Sequence, residues 1–225
     1  MVDKKIKTVI FDMDGTLIDT EKHYRHFWKK AFEFYGMILT DEQALSLRSL
    51  GSPYSAPYLR SIFSDDLDVE KVRAKRRELM EAHLEQVGIE LKPGALEILK
   101  YLKAQGVPTA VATATEPVRA KKYLTELGLY DYFDDVVSAA TVSRGKPAPD
   151  VYTYTCKQLD KNPKDCIAVE DSPNGVMSAY RAGCKVVYIP DQKDETEELR
   201  HYLYAKADWL FDLKRILAER NGKLP

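Results

Sequence analysis

Two aspartates, Asp12 and Asp14, are the residues of this chain whose type and spacing best suit chemistry. They directly follow residues 8–11 (TVIF), a β-branched and aromatic run typical of a strand buried on both faces. Because residues two apart in a strand point to the same side, both carboxylates can face one small space. Gly15 then permits a sharp turn away from it.

Two carboxylates this close disfavour joint ionisation unless a cation lies between them or one keeps its proton. A hard divalent ion such as Mg²⁺ prefers oxygen ligands and suits such a pair. A carboxylate can also act as a nucleophile and take a phosphoryl group. The alternative is that Asp12 and Asp14 are ordinary turn residues, since Asp and Gly are common after strands. The D-x-D-G pattern alone leaves both interpretations open.

A second apolar run, PTAVATAT (residues 108–115), is a predicted strand that ends in the hydroxyl residues Thr113 and Thr115. A threonine at this place can cap the next helix. It can also offer its hydroxyl and the following backbone N–H, here that of Ala114, to a phosphate. We assign phosphate binding to Thr113 and the helix cap to Thr115.

Two further segments place charged residues at sites that a surface role explains poorly. Lys146 stands between Gly145 and Pro147, where the backbone is constrained, and a fixed ammonium there can balance carboxylates and bind phosphate. Residues 167–169 form an apolar strand that ends in Glu170 and Asp171. Helix capping accounts for the following serine and proline but not for two adjacent acids.

The strings DMDGTLIDTE, GKPAPD and VEDSPNG together resemble the motifs of the haloacid dehalogenase-like phosphohydrolases, whose hallmark is D-x-D-x-[TV]-[LV]. The four signals follow that family's order over the whole chain, each at a strand end. They are most similar to the branch that contains small-molecule phosphatases and β-phosphoglucomutase.

The resemblance implies a role for each acid. Asp12 would attack the substrate phosphorus and form an aspartyl-phosphate, while Asp14 would protonate the leaving oxygen and later deprotonate water. Mg²⁺ would be bound by the Asp12 carboxylate, the Asp14 carbonyl and Asp171, with Glu170 acting directly or through water. Thr113, the Ala114 N–H and Lys146 would hold the phosphoryl oxygens, since phosphoryl transfer depends mainly on positioning and charge neutralisation.

The elements that must position these residues fall into two groups. Residues 20–89 contain helical patterns and no convincing strand, which is too long for one crossover and favours an inserted helical cap. From residue 90 onward, apolar strands alternate with amphipathic helices, which predicts a parallel sheet. The last predicted elements are a helix at 195–202, a possible strand at 208–210 and a final helix. We therefore expect a Rossmann-like, doubly wound α/β core (1–19 and 90–225) with a small helical cap domain (20–89), and the site beyond the carboxyl ends of the strands.

The cap should close over the site and select the leaving group. Its predicted hinges are Thr20–Glu21 and residues 91–93, and its candidate substrate selectors are Tyr24, Arg48, Tyr54 and Arg77. Arg77 lies near a substrate-contacting lysine of the mutase branch, although a solvated arginine explains it too. That branch has a histidine and an arginine where this chain has Tyr24 and Tyr54, which favours a phosphatase over a mutase.

Composition places the chain among soluble globular proteins: 225 residues, 44% hydrophobic, 31% charged, formal net charge −1. This balance gives no reason to expect nucleic acid or a membrane as partner. The N-terminus lacks the pattern of a signal peptide, and the three cysteines predict buried thiols in a reducing compartment. We expect a cytoplasmic, Mg²⁺-dependent phosphatase for a small phosphorylated metabolite, monomeric or weakly homo-oligomeric. The alternatives are a β-phosphoglucomutase-like mutase and, more remotely, a non-catalytic phospho-acceptor or binding protein.

Overall fold

A six-stranded parallel sheet in the order β3-β2-β1-β4-β5-β6 forms the centre of the protein. The computed structural model describes residues 6–51, 54–192 and 196–221. The strands are β1 (Thr8–Phe11), β2 (Thr109–Thr113), β3 (Asp135–Ser138), β4 (Cys166–Glu170), β5 (Lys185–Tyr188) and β6 (Ala205–Lys206). Helices cover both faces, which confirms the predicted doubly wound α/β fold.

Ten α-helices connect and cover the strands within the described residues: α1 (Glu21–Phe34), α2 (Asp41–Ser46), α3 (Ser55–Ile62), α4 (Val69–Val87), α5 (Ala95–Ala104), α6 (Pro117–Glu126), α7 (Asp150–Gln158), α8 (Pro173–Ala182), α9 (Glu197–Arg200) and α10 (Leu213–Asn221). Local signals start several of them. Thr40 and Gln43 form a capping box at α2, and the Asp68 side chain accepts a hydrogen bond from the Lys71 N–H at α4.

Strand β1 is buried along its whole length because it lies between β2 and β4 under helices on both sides. Val9 and Phe11 face one hydrophobic cluster, to which α5, α6 and α10 contribute. Ile10 faces the other cluster, which α7 and α8 complete. This alternation follows the two-residue period of a strand and explains why the TVIF run is apolar throughout.

Helices α1–α4 form a unit of their own between β1 and α5, which we call the helical insert (residues 21–87). It has a separate hydrophobic cluster that includes Trp28, Phe32, Leu39, Leu59 and Val72. The two segments that join it to the sheet run side by side. The Asp19 N–H donates to the Glu90 carbonyl at 2.8 Å and the Lys92 N–H to the Leu17 carbonyl at 2.9 Å, with Ile18 bridged to Leu91. The boundaries 1–19, 20–89 and 90–225 stay a prediction.

The order in which strands are added to the sheet reverses at β1, and this determines where a ligand site can form. From β1 the strand order leads to β2 and β3 on one side and to β4, β5 and β6 on the other. The carboxyl ends of β1 and β4 therefore border the crevice in which open α/β sheets bind ligands. The Asp12 N–H donates to the Val169 carbonyl at 2.9 Å, which joins the two strand ends.

Some element predictions were wrong at the chain's C-terminal end. The predicted strand at 208–210 is instead β6 at Ala205–Lys206, because Tyr204 and Ala207 donate backbone hydrogen bonds to carbonyls of β5. Leu210 begins a short 3-10 turn and packs into the core. The predicted helix 195–202 is only α9, and Glu195 lies outside the described residues.

The cysteine prediction agrees with the fold, since Cys156, Cys166 and Cys184 are free and buried. In the described part of the chain, no helix has the length and apolar character needed to span a bilayer.

Candidate active site

Three buried carboxylates meet where β1 and β4 end. Asp12 follows β1, Glu170 is the last residue of β4, and Asp171 comes next. The register that pairs Phe11 with Val169 brings these strand ends together. One oxygen from each carboxylate lies within 4.8 Å of the others, and none of the three residues is more than 1% exposed. Residues nearly 160 positions apart thus form one acidic cluster.

Lys146 supplies the cation inside this cluster. It lies in the loop between β3 and α7, is 0% exposed, and donates to Asp12 Oδ1 at 2.5 Å and to Glu170 Oε1 at 2.6 Å. Burial lowers the pKa of Lys146, but Asp12 and Glu170 outweigh that effect and hold its pKa above the ordinary value. The Tyr152 hydroxyl, on α7, donates to the same Glu170 oxygen at 2.5 Å.

The cluster still contains more negative charge than one lysine can balance. Burial raises the pKa of Asp12 well above its usual range, despite Lys146, and raises the pKa of Asp171 to about 8, despite Arg48. Asp12 Oδ2, Glu170 Oε2 and Asp171 Oδ2 are buried and have no hydrogen-bond partner among the described residues. Three carboxylates that come this close, each with one oxygen that accepts no hydrogen bond from the described residues, fit a hard divalent cation such as Mg²⁺.

Two glycines keep the backbone close to these oxygens. Gly15 has φ +82°, and a Cβ there would overlap the Asp171 carboxylate. A Cβ at Gly175, in the first turn of α8, would overlap the Glu170 carboxylate. Both positions therefore require glycine while the acids stay where they are.

Asp14 lies beside the cluster and is held by hydroxyl groups. Thr20 Oγ1 donates to Asp14 Oδ1 at 2.6 Å, and Thr115 Oγ1 donates to Asp14 Oδ2 at 2.7 Å. Thr113 Oγ1 approaches the latter oxygen at 3.4 Å. The prediction that Thr115 caps the next helix was wrong, because Glu116 is the N-cap of α6 and makes no side-chain cap.

A cavity of about 250 Å³ lies between the sheet and the helical insert. Its sheet side includes Asp12, Asp14, Ala114 and Thr115, and its insert side includes Glu21, Tyr24, Trp28, Arg48, Arg73, Arg76 and Arg77. Of the predicted selectors, Tyr24, Arg48 and Arg77 line this cavity. Tyr54, at the start of α3, is absent from the described lining. The described lining does not include Lys146, Thr113, Glu170 or Asp171.

Residues 6–183 match the haloacid dehalogenase-like hydrolase family, which is more than half of the chain. The chain belongs to this family. A phosphorylated carbohydrates phosphatase of Thermotoga maritima is 32% identical, over 81% of this chain and 84% of its own length. The fructose-1-phosphate phosphatase YqaB of Escherichia coli is 31% identical, over 80% and 95%. A β-phosphoglucomutase structure from Clostridium difficile has a TM-score of 0.81 at 22% identity, over 96% and 97%, and shows the shared fold.

In this haloacid dehalogenase-like hydrolase, two predicted selectors contact the sheet side directly. The Tyr24 hydroxyl lies 3.1 Å from Thr115 Oγ1, which itself holds Asp14. Arg48 Nη2 donates to the Asp171 carbonyl at 2.7 Å, and its Nε lies 3.8 Å from Asp171 Oδ2. The helical insert therefore contacts the ends of β2 and β4, and through Thr115 it reaches a partner of Asp14.

The sequence interpretation missed three residues of this hydrolase's site: Thr115 as a partner of Asp14, Tyr152 as a partner of Glu170, and Arg76 in the cavity wall. Tyr152 had a usable signal, because it lies in the first turn after the GKPAPD segment. Arg76 had none, since it lies within a helix full of charged residues.

Proposed function

We propose that this protein hydrolyses the phosphate monoester of a small metabolite through an aspartyl-phosphate on Asp12, with Mg²⁺ bound by the acidic cluster. The observation that carries the proposal is the set of groups around the Asp12 carboxylate. Lys146 holds one of its oxygens, the other is buried without a hydrogen-bond partner among the described residues, and the carboxylate is grouped with those of Glu170 and Asp171. Asp12 itself lines the cavity. The phosphatase relatives support the same reaction class.

The reaction divides between the two aspartates. An Asp12 oxygen forms a bond to phosphorus while the bond to the leaving oxygen breaks, and Asp14 donates a proton to that oxygen. A water molecule then gives its proton to Asp14 and attacks the phosphoryl group, which releases phosphate and restores Asp12. Thr20 and Thr115 keep the Asp14 carboxylate in one orientation for both transfers.

Charge neutralisation comes from the groups around Asp12. Lys146 would offset negative charge as the phosphoryl group transfers, and Thr113 and the Ala114 N–H would hold its other oxygens. Asp12, Glu170, Asp171 and the Asp14 carbonyl would hold Mg²⁺, which supplies further positive charge at the phosphate.

The helical insert would serve as the cap that excludes water and selects the leaving group. The cavity is slightly smaller than the usual range of about 300–1,000 Å³ for small-molecule pockets, so we infer a small substrate.

The test is turnover of p-nitrophenyl phosphate with Mg²⁺, with and without a chelator, by the wild type and Asp12→Asn. We expect chelation and Asp12→Asn each to abolish phosphate release, and the exposed-site control Asp131→Asn to retain it. Steady-state turnover near the wild-type level in Asp12→Asn would refute the nucleophile assignment. Analysis of products from a hexose phosphate distinguishes hydrolysis from a mutase reaction.

A further inference from the structure

Arg76, on the insert side of the cavity, is a buried cation without a counter-ion. It is 7% exposed, and its guanidinium carbon lies 4.8 Å from the ring centroids of both Tyr24 and Trp28. Within the described residues it makes no hydrogen bond or ion pair, and its Nε is buried without an acceptor. Aromatic faces attract a guanidinium, but they do not accept its N–H hydrogen bonds as carboxylate or phosphate oxygens do.

The surroundings of Arg76 add positive charge. Burial lowers its pKa to about 10, as do Arg119, Arg73 and Arg77, although Tyr24 acts in the opposite direction. All four arginines line the same cavity. Burying a charge is costly unless it is paired, so this wall of the cavity favours an anion.

The neighbouring arginines differ in whether a carboxylate already neutralises them. Arg73 forms an ion pair with Glu70 and a hydrogen bond with Ser55. Arg119 lies 3.7 Å from Glu81, yet its own Nε is buried without a partner among the described atoms. Arg77 also has no ion pair among the described residues, but it is less buried than Arg76. The buried unbalanced charge therefore centres on Arg76, with Arg119 and Arg77 near it.

The transferring phosphoryl group does not account for this charge. Its counter-charges would be Lys146 and the Mg²⁺ that the acidic cluster would hold, and both belong to the sheet side of the site. Arg76 belongs to the insert side, where the leaving group of a monoester would lie.

We propose that the substrate carries a second anionic group, a carboxylate or a second phosphate, which Arg76 binds with help from Arg119. This inference rests on the proposed phosphatase function and specifies its substrate class. The two rings orient the planar guanidinium, so that it can donate paired hydrogen bonds to a planar or tetrahedral anion. Because both ends of the substrate must fit one cavity of about 250 Å³, the two anionic groups are separated by only a few bonds.

Matched substrate pairs test the proposal. One pair is propane-1,3-diol bisphosphate and propane-1,3-diol monophosphate, and the other is 2-phosphoglycolate and its neutral amide. We expect the wild type to show a kcat/KM ratio of about tenfold or more in favour of the anionic member of at least one pair, since a charge-assisted hydrogen bond is lost in the other member. The pair that shows the preference distinguishes phosphate from carboxylate.

Arg76→Met removes the charge and keeps a long apolar side chain beside the rings. We expect it to lower the preferred ratio by about fivefold or more. The control Arg60→Met, at an exposed arginine of the insert that is not among the described residues lining the cavity, should shift the ratio less than about twofold. If Arg76→Met does not melt cooperatively, Arg119→Met takes its place with the same expected direction.

A wild-type ratio near one in both pairs overturns the proposal, and so does an unchanged ratio in Arg76→Met. Failure of the proposed function gives a different result, because the wild type would then not release phosphate from p-nitrophenyl phosphate at all.

Discussion

Gly51, in the helical insert, lies against the loop that carries the candidate lysine. The Gly51 N–H donates to the Lys146 carbonyl at 3.0 Å. A Cβ added at Gly51 would lie 2.7 Å from Gly145 Cα, 3.1 Å from the Gly145 carbonyl carbon and 3.2 Å from the Lys146 nitrogen. All three are backbone atoms, so no side chain can rotate away from the methyl group.

The size of the effect of Gly51→Ala follows from these distances. An ordinary carbon–carbon contact begins near 3.4 Å, so the two loops must separate by roughly 0.7 Å at the closest pair. Such overpacking costs about 1–3 kcal/mol. We expect it to displace the helical insert from the sheet rather than to unfold either part, because the insert has its own hydrophobic cluster. A cost of that size lowers the ratio of the arrangement described here to a displaced one by about 5–150-fold, and kcat/KM falls by up to the same factor.

Steady-state kinetics on p-nitrophenyl phosphate measures this change, and thermal unfolding monitors the fold. Ser46→Ala, at the exposed end of α2, is the control because it alters the same part of the chain without adding an atom. If Gly51→Ala keeps kcat/KM within about twofold of the wild type, then the contact between these two loops does not matter for turnover. The reasoning from the Gly51–Gly145 distance would then be refuted.

Three further variants test the packing around the acidic cluster. Tyr152→Phe removes the hydroxyl that donates to Glu170, and we expect the affinity for Mn²⁺ or Mg²⁺, measured by titration calorimetry, to fall about tenfold or more. The control is Tyr154→Phe, at an exposed tyrosine of the same helix, and equal metal affinity in both variants would contradict a positioning role for Tyr152. Lys146→Met leaves the buried carboxylates of Asp12 and Glu170 without their cation, so guanidinium unfolding in the presence of a chelator should show a free energy of unfolding about 3–5 kcal/mol lower. A variant as stable as the wild type would be evidence that Lys146 does not stabilise these carboxylates. Gly175→Ala forces a methyl group onto the Glu170 carboxylate, and calorimetry should detect weakened metal binding. Wild-type affinity would show that metal binding does not depend on the close approach of Gly175 to Glu170.

Most of the sheet and the strand ends could be predicted from the sequence because their signals are local. Strand β1 is an apolar run of four residues followed at once by Asp12, and β4 ends in Glu170 in the same way. Parallel strands align their carboxyl ends at one edge, so strand direction predicted Asp12 and Glu170 at the same edge. Their grouping around one metal came from the family resemblance, and the structure shows that β1 and β4 are neighbours.

The missed features depend on contacts between distant segments. The sequence did not predict α3 as a separate helix, because it has only eight residues and one of them is a proline. Its buried Leu59 belongs to the insert's own hydrophobic cluster, which forms from distant segments. Arg76 resembles its solvated neighbours on α4 until Tyr24 and Trp28, on α1, cover it. The Thr115 hydroxyl donates to Asp14 and does not cap the helix. The two residues are 101 positions apart, and the sequence around Thr115 gives no signal of this contact.

The two paired segments that join the insert to the sheet also carry a chemical consequence. Since residues 17–19 are hydrogen-bonded to residues 90–92, the insert is attached by a two-stranded ribbon and not by two independent tethers. Thr20, which donates to Asp14, is the first residue beyond that ribbon. A swing of the insert would therefore also shift the group that orients the proposed proton donor. Admission of a substrate and readiness for proton transfer would then be controlled by one motion, and the open form would be a poor hydrolase of its own phosphorylated aspartate.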